Sequence, residues 1–344
     1  MPSYHAIAYH QRVRLPVVER IVDSGAVPEA LLRAGIRAVC ALRLRDEKHR
    51  DATAFIASLR SQELAIETAA ANAQHYEVPP AFFQRVLGPH LKYSACYWPP
   101  GTHELGAAEA AMLELYAERA QLADGQDVLD LGCGWGSFSL WAAARYPASR
   151  FTAVSNSAPQ RGFIETQART RGLTNLDVRT ADVRTLELAA ASFDRVVSIE
   201  MFEHMRNYQL LFAKIARWLR PGGALFTHVF AHHRFAYPFE DGGSSDWMAR
   251  EFFTGGIMPS ADLFAHFDDD LRIAAEWRVD GTHYAKTAEA WYANLVAHRA
   301  EVIAILGDKK QYQRWRVFFL ACAELFGYRD GREWLVAHYR MVPR

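Results

Sequence analysis

Ser198-Ile199-Glu200-Met201-Phe202-Glu203-His204 puts two acids and a histidine directly behind an apolar run, Phe193 to Ile199, that reads as a buried strand. If a helical turn begins there, Glu200, Glu203 and His204 are three and four residues apart and share one face. A carboxylate or imidazole so placed can take a proton from an incoming nucleophile, help that is typically worth ~10²–10⁴-fold in rate. The competing reading is helix capping and a polar surface.

A second stretch, Val128-Leu129-Asp130-Leu131-Gly132-Cys133-Gly134-Trp135-Gly136, carries an apolar run through an acid into alternate glycines. The run reads as a buried parallel strand, and the glycines as a tight turn that lets the backbone approach a ligand. Such a turn between a first strand and a first helix binds a nucleotide-like molecule at the carboxyl edge of the sheet. The spacing is G-x-G-x-G, and Ser137 stands where the dinucleotide fingerprint wants glycine. Asp130 suits an amino group better than a phosphate, and Asp182, after the third strand, can accept from an adenine amino group. S-adenosylmethionine meets both demands and has no phosphate. After the second strand the usual ribose-binding acid is replaced by Ser155-Asn156-Ser157 and Gln160, whose hydroxyl and amide groups can stand in for it.

These residues need a frame, and the hydrophobic pattern supplies one. Strands are predicted from Gln126, over Phe151–Val154, Asn175–Arg179, Phe193–Ile199, Ala224–Phe230, Leu271–Trp277 and Glu333–Met341, the last paired antiparallel. Helices are predicted after Pro28, after the capping Asp51, over Glu104–Arg119 (Ala108, Ala111, Met112, Leu115 and Tyr116 at helical spacing), over Tyr208–Leu219, from about Thr287, and over Tyr312–Phe326. Strands alternating with helices imply a parallel sheet with right-handed crossovers. The expected organisation is an N-terminal helical and cofactor-covering region, 1–120, followed by an α/β core, 121–344, with cap insertions at about 231–268 and 285–328.

Composition narrows the function classes. Half of the 344 residues are hydrophobic, enough for a large core. Lys+Arg and Asp+Glu balance at 39 each, so no basic surface offers itself to nucleic acid. No apolar run reaches the ~18 residues of a membrane-spanning helix. Cys40, Cys96, Cys133 and Cys322 have no metal-ligand spacing and no disulfide framework, so no metal is expected and a cytoplasmic compartment is the default. A homodimer is allowed but not specified.

The chain resembles the S-adenosylmethionine-dependent methyltransferases of the group that contains cyclopropane fatty acid synthases and coclaurine N-methyltransferases. The resemblance runs through His75-Tyr76-Glu77, Tyr93-Ser94, Gly132 to Gly136, Glu200 to Met205, His228 and His283-Tyr284; Glu324 to Tyr328 and Glu333-Trp334 look like the coclaurine-type enzymes. It implies a Rossmann-like class I methyltransferase fold, a seven-stranded, mostly parallel sheet with one antiparallel strand, under a helical and aromatic cap. It also implies a cofactor site of Tyr93, Ser94, Asp130, Gly132, Gly134, Gly136, Ser155, Gln160, Asp182 and Val183. Glu200, Glu203 and His204 are then the proton-handling group for an amine. In cyclopropane synthases a bicarbonate acts as base, held by a cysteine, a glutamate, a histidine and a tyrosine. Glu203, His228 and Tyr284 match three of these, but Ala95 stands at the cysteine position and Cys96, one residue late, would point the other way.

Phe230, Phe235, Tyr237, Trp247 and Phe253 are the candidates for an aromatic wall around a cationic substrate. The expected activity is N-methylation of a small cyclic or aromatic amine. The alternatives are alkylation of unsaturated phospholipid chains and cofactor binding without catalysis.

Overall fold

In a computed structural model of the chain, which describes residues 16–66, 78–239 and 247–344, the apolar runs pair into one sheet. Its strands are β1 (Asp127–Leu131), β2 (Arg150–Ser155), β3 (Leu176–Thr180), β4 (Phe193–Ile199), β5 (Leu219–His232), β8 (Leu271–Val279) and β9 (Trp334–Pro343), in the order β3-β2-β1-β4-β5-β9-β8. β1 to β5 pair in parallel, while β9 runs antiparallel to both β5 and β8. The seven strands with one reversed are therefore those expected. A two-residue pair, β6 (Tyr237–Pro238) and β7 (Ile257–Met258), lies in the cap. His75-Tyr76-Glu77 and positions 240–246 of the cap lie outside the described residues.

The order reverses between β1 and β4, so the crevice at the carboxyl ends of these strands is the natural ligand site of such a sheet. The glycine loop, the Ser155–Ser157 turn and the segment after β4 all emerge there. β5 is longer than expected. Its pairing with β4 begins at Leu219 opposite Phe193 and passes through Pro221-Gly222-Gly223 by a shift of register, which Gly222 accommodates at φ +79°.

Helix starts follow their chemical signals. Asp51 accepts the backbone N–H of Ala54 at 3.0 Å and caps the helix Ala52–Leu59. Pro28 precedes the helix Glu29–Glu47. The helical stretch expected from about Thr287 begins earlier and comes in pieces: Gly281–Ala297, Arg299–Leu306 and Lys309–Phe326. Arg33 ties the N-terminal helices to this group, reaching Glu289 at 2.5 Å and Glu324 at 2.9 Å. Gly327 ends the last helix with an ordinary right-handed φ of −79°, not as the left-handed cap that glycine often supplies there.

One buried acid positions the loop that brings Tyr93 and Ser94 to the crevice. Glu109, fully buried on the helix Leu105–Ala120, accepts the backbone N–H groups of Gly88 (3.0 Å), His90 (2.8 Å) and Lys92 (3.2 Å). Bonds to a buried charged acceptor are worth more than neutral ones, and removing the acceptor strands every donor. Glu109→Ala should therefore cost about 3 kcal/mol in urea unfolding and weaken cofactor binding with it. A loss within error of zero would show that the loop holds itself.

Candidate functional site

Glu200 stands at the centre of the crevice. The backbone leaves β4 at Glu200 with φ +47°, a left-handed conformation that is costly for a residue with a Cβ. Its N–H donates to the His228 carbonyl at 2.8 Å, and its side chain turns back over the sheet edge. There Oε1 accepts the Ala95 N–H at 2.9 Å and faces His228 Nε2 at 3.0 Å, while Oε2 accepts the Tyr284 hydroxyl at 2.8 Å. A carboxylate offers about four acceptor positions. Three are taken here, and Glu200 itself forms part of the cavity wall.

The helical turn expected to align Glu200, Glu203 and His204 does not form. A 3₁₀ turn, Phe202–His204, follows the left-handed Glu200 and splits the group. His204 stays with Glu200 on the cavity wall, its ring nearly parallel to Phe253 at 6.3 Å. Glu203 turns away and is fully buried, with Oε1 accepting the Phe230 N–H at 2.7 Å. His228 also lies behind the wall, fully buried. Glu203, His228 and Tyr284, the three matches to the bicarbonate-binding pattern of cyclopropane synthases, are therefore not brought together on the cavity wall. The donors His228 and Tyr284, with the Ala95 N–H in place of a cysteine, converge on the Glu200 carboxylate. Cys96 does face away, packed with Trp98 and Ala108.

Electrostatics separates the two acids. Burial pushes both carboxyl groups up, but Glu200 is supported by Lys92, the Ala95 N–H and the Tyr284 hydroxyl. Glu203 is raised further, by burial and by the charge of Glu200, with two backbone N–H bonds in opposition. Lys92 is itself buried, donates to Ser94 Oγ and the Ala95 carbonyl, and lies 5.1 Å above the Tyr116 ring. Sequence reasoning missed it; a lysine inside the aromatic Leu91–Trp98 stretch was the available signal. Burial lowers His204 to about 4, so it is a neutral imidazole.

Two adjoining cavities of about 80 and 100 Å³ meet at Gly132, Gly134, Gln160, Glu200 and His204. The first is lined by Ser155, Asp182 and Val183, the second by Tyr93, Ser94 and Asp130. Nine of the ten expected cofactor residues thus line one or both. The tenth, Gly136, lines neither: a Cβ there would meet Ile164 at 2.7 Å, so this glycine serves helix packing. Gly132 is required at the mouth, where φ is +85° and a Cβ would lie 2.6 Å from Met201.

The walls suit S-adenosylmethionine. Ser155 donates to Gln160 Oε1 at 2.6 Å, leaving buried Gln160 Nε2 without a partner among the described residues. Buried Ser137 Oγ on the same walls is likewise unmatched there. Ribose hydroxyls and a carboxylate are complements to such groups. Asp182 holds Arg184 at 2.7 Å and still reaches the cavity.

Of the aromatic candidates, Phe230 and Phe253 line the second cavity, together with Tyr284, Trp291 and Phe318, which the aromatic pattern alone did not single out. Phe235 is outside; it stacks on His232 at 4.8 Å. Tyr237 and Trp247 line a separate apolar cavity of about 290 Å³ that shares Phe253. His232, His233 and Glu333 cluster nearby, but His232 Nδ1 accepts the N–H groups of Arg234 and Phe235 at 3.0 and 2.8 Å. Its Nε2 therefore carries the proton and faces Glu333 at 3.3 Å, a tautomer that donates and does not ligate.

Comparison with known proteins agrees with this geometry. The family profile described as mycolic acid cyclopropane synthetase matches residues 64–333. The (S)-coclaurine N-methyltransferase of Thalictrum flavum subsp. glaucum is 38% identical over 335 residues, 92% of each chain. The cyclopropane-fatty-acyl-phospholipid synthase of Escherichia coli K12 is 32% identical over 272 residues, 78% of this chain and 67% of that one. The crystal structure of a coclaurine N-methyltransferase bound to N-methylheliamine and SAH superposes with a TM-score of 0.90 at 37% identity, covering 95% of this chain and 99% of that one.

Two measurements follow from the site. Burial pushes the Asp130 carboxyl up to about 7, against the hydrogen bond it receives from Ser139. To pair with a ligand ammonium it must ionise, so affinity for S-adenosylmethionine should fall up to about tenfold per pH unit below that value and level off above it. Calorimetric titration across this range checks it, and a flat profile would remove Asp130 from the site. Glu200→Gly and Glu200→Ala both delete the carboxylate, but only the glycine is at ease at φ +47°. The glycine variant should be the more stable by about 1 kcal/mol in chemical denaturation.

Proposed function

The chain belongs to the mycolic acid cyclopropane synthetase family and is an S-adenosylmethionine-dependent methyltransferase, and from that premise we propose that it methylates the nitrogen of a small cyclic or aromatic amine. The observation that carries this reading is the Glu200 carboxylate, a base built into the chain and held by the donors that a separate anion would need.

When bound, S-adenosylmethionine supplies a methyl group on a sulfonium, already activated for displacement. What remains for the protein is to orient the nucleophile and manage its proton. An ammonium has no lone pair and must be deprotonated before it can attack. The Glu200 carboxylate, on the wall of both cavities, takes that proton. Neutral His204 beside it orients the amine or shares the proton. Glu203, raised well above the usual carboxyl range by burial and by the charge of Glu200, accepts the Phe230 N–H and acts through the backbone of β5. Phe230, Phe253, Tyr284 and Trp291 surround the place of the amine, and their faces favour a cation by ~0.5–2 kcal/mol before the proton is lost.

The apolar cavity behind Phe253, with Tyr237 and Trp247 in its wall, accommodates the part of the substrate remote from nitrogen. Two of the expected substrate residues then act at that distance, and Phe235 not at all. Among the described residues no helix is long and apolar enough to cross a membrane.

Incubation with methyl-labelled cofactor and a panel of cyclic amines, azoles and unsaturated phospholipid vesicles should label amines, with no dependence on added bicarbonate. Transfer confined to lipid alkenes would refute the reading. Glu200→Gln keeps the shape but cannot take a proton, and kcat should fall by ~10²–10⁴-fold while cofactor affinity is retained.

A further inference from the structure

Behind Glu200 the sheet contains a row of polar side chains whose order is set by the fold. His228 on β5 and His338 on β9 stand directly opposite each other in the antiparallel register. Tyr116 and Arg119, one helical turn apart on Leu105–Ala120, lie over this pair. Arg119 Nη1 is 2.7 Å from His338 Nδ1, His338 Nε2 is 2.9 Å from His228 Nδ1, and His228 Nε2 is 3.0 Å from Glu200 Oε1. The Tyr116 hydroxyl adds a 2.7 Å contact to His228 Nδ1. Both imidazoles are fully buried, whereas Arg119 is half-buried, its guanidinium 5.1 Å over the Trp277 ring.

The direction of these bonds follows from chemistry. A guanidinium only donates, so His338 Nδ1 accepts. Burial keeps both rings neutral, each with one ring proton. His338 must then carry it on Nε2 and donate to His228 Nδ1. His228 in turn carries its proton on Nε2 and donates to Glu200. Every N–H in the row points toward the carboxylate, and the far end is a fixed positive charge.

We propose that Arg119, His338 and His228 form an electrostatic row that holds the Glu200 carboxylate ionised and aimed, with Arg119 and His338 as positioning residues for the methyl-transfer base. The proposal rests on the reading that Glu200 receives the proton of the amine. The row does not export that proton. Arg119 does not give one up, and each imidazole already presents its N–H inward. It acts by opposing the cost of burying a charge.

Other groups face the same carboxylate and help to hold its charge. Lys92 and the Ala95 N–H come from the loop after residue 88, Tyr284 from the helix Gly281–Ala297, and His204 from the same segment as Glu200. The acids and weak acids around it, Glu203, Tyr116, Cys96 and Cys322, oppose it or stay neutral. Lys92 lies within the core, where burial opposes its charge, so the row is tested from its Arg119 end, which is half-buried where both imidazoles are fully buried.

The experiment compares Arg119→Met, Arg119→Lys, His338→Leu and His338→Gln with the parent enzyme in two readouts. The first is the pH profile of kcat/KM for amine methylation. With the charge or the link removed, Glu200 is harder to ionise, so the acid limb should move to higher pH by roughly one unit in Arg119→Met and His338→Leu. Turnover should recover at high pH and cofactor KM should stay put. Arg119→Lys retains a donor and a charge, and His338→Gln an acceptor and a donor, so both should return the limb toward its original place. The second readout is the infrared band of the protonated carboxyl that disappears in Glu200→Gln, titrated without substrate; it should persist to higher pH in Arg119→Met. An unmoved band and limb in folded Arg119→Met, or equal displacement by Arg119→Lys, would overturn the row. Full activity of Glu200→Gln would instead overturn the base reading, and the infrared titration would still decide whether the row holds the carboxylate.

Discussion

A carboxylate taken out of water must be met by donors, and the architecture around the crevice is arranged by that demand at Glu200. The Ala95 N–H arrives on a loop that Glu109 ties to the helix below, the Tyr284 hydroxyl comes from a helix inserted between β8 and β9, and the His228 N–H comes from the central strand β5. Elements far apart in sequence thus converge on one functional group. The left-handed backbone at Glu200 is the local cost of this convergence: with an ordinary φ the side chain would follow the strand direction and leave these donors unmet. Strain at one residue is tolerated because the surrounding contacts determine its position.

The acids of the site divide the work by environment and not by type. Glu200 has a neighbouring cation and three hydrogen-bond donors; Glu203 is buried beside it, repelled by its charge; Asp130 is buried under the glycine loop with the Ser139 hydroxyl. In the proposed reaction the first serves as the base, the second is the harder of the two to ionise, and the third, raised to about 7, is balanced so that an incoming ammonium decides its charge. Groups of one chemical kind whose proton affinities are driven apart mark the functional assignments in a buried site.

Much of this was legible in the sequence. Strand positions follow from short apolar runs because a parallel sheet buries both faces of its strands, and the G-x-G-x-G loop identified the cofactor edge because only glycine permits Gly132 to approach Met201. The division between Glu200 and Glu203 was not legible. Spacing suggested a shared helical face, but one left-handed residue followed by a 3₁₀ turn sends the two acids in different directions, and no propensity announces a positive φ at glutamate. Lys92 was passed over because a single lysine carries no periodic signal. Which aromatics face the cavity is illegible for a similar reason: composition marks Phe235, Tyr237 and Trp247 as aromatic, whereas only tertiary packing reveals that Trp291 and Phe318 line it and Phe235 stacks on His232.

The choice between a tethered and a diffusible base follows from the same geometry. A bicarbonate bound among a cysteine, a glutamate, a histidine and a tyrosine would be an exchangeable anion whose occupancy depends on its concentration. Here the Ala95 N–H, His228 and the Tyr284 hydroxyl are engaged by a carboxylate fixed to the strand end, on the wall of the cavity. Tethering converts a binding equilibrium into a fixed effective concentration. It also places the base under the control of the fold: its proton affinity is set by Lys92 and by the row behind it, and its direction by the strained turn. An alkene offers no N–H for such a base at the moment of attack, whereas an ammonium must surrender one beforehand. A permanent, oriented carboxylate therefore suits the proposed amine substrate better than an alkene.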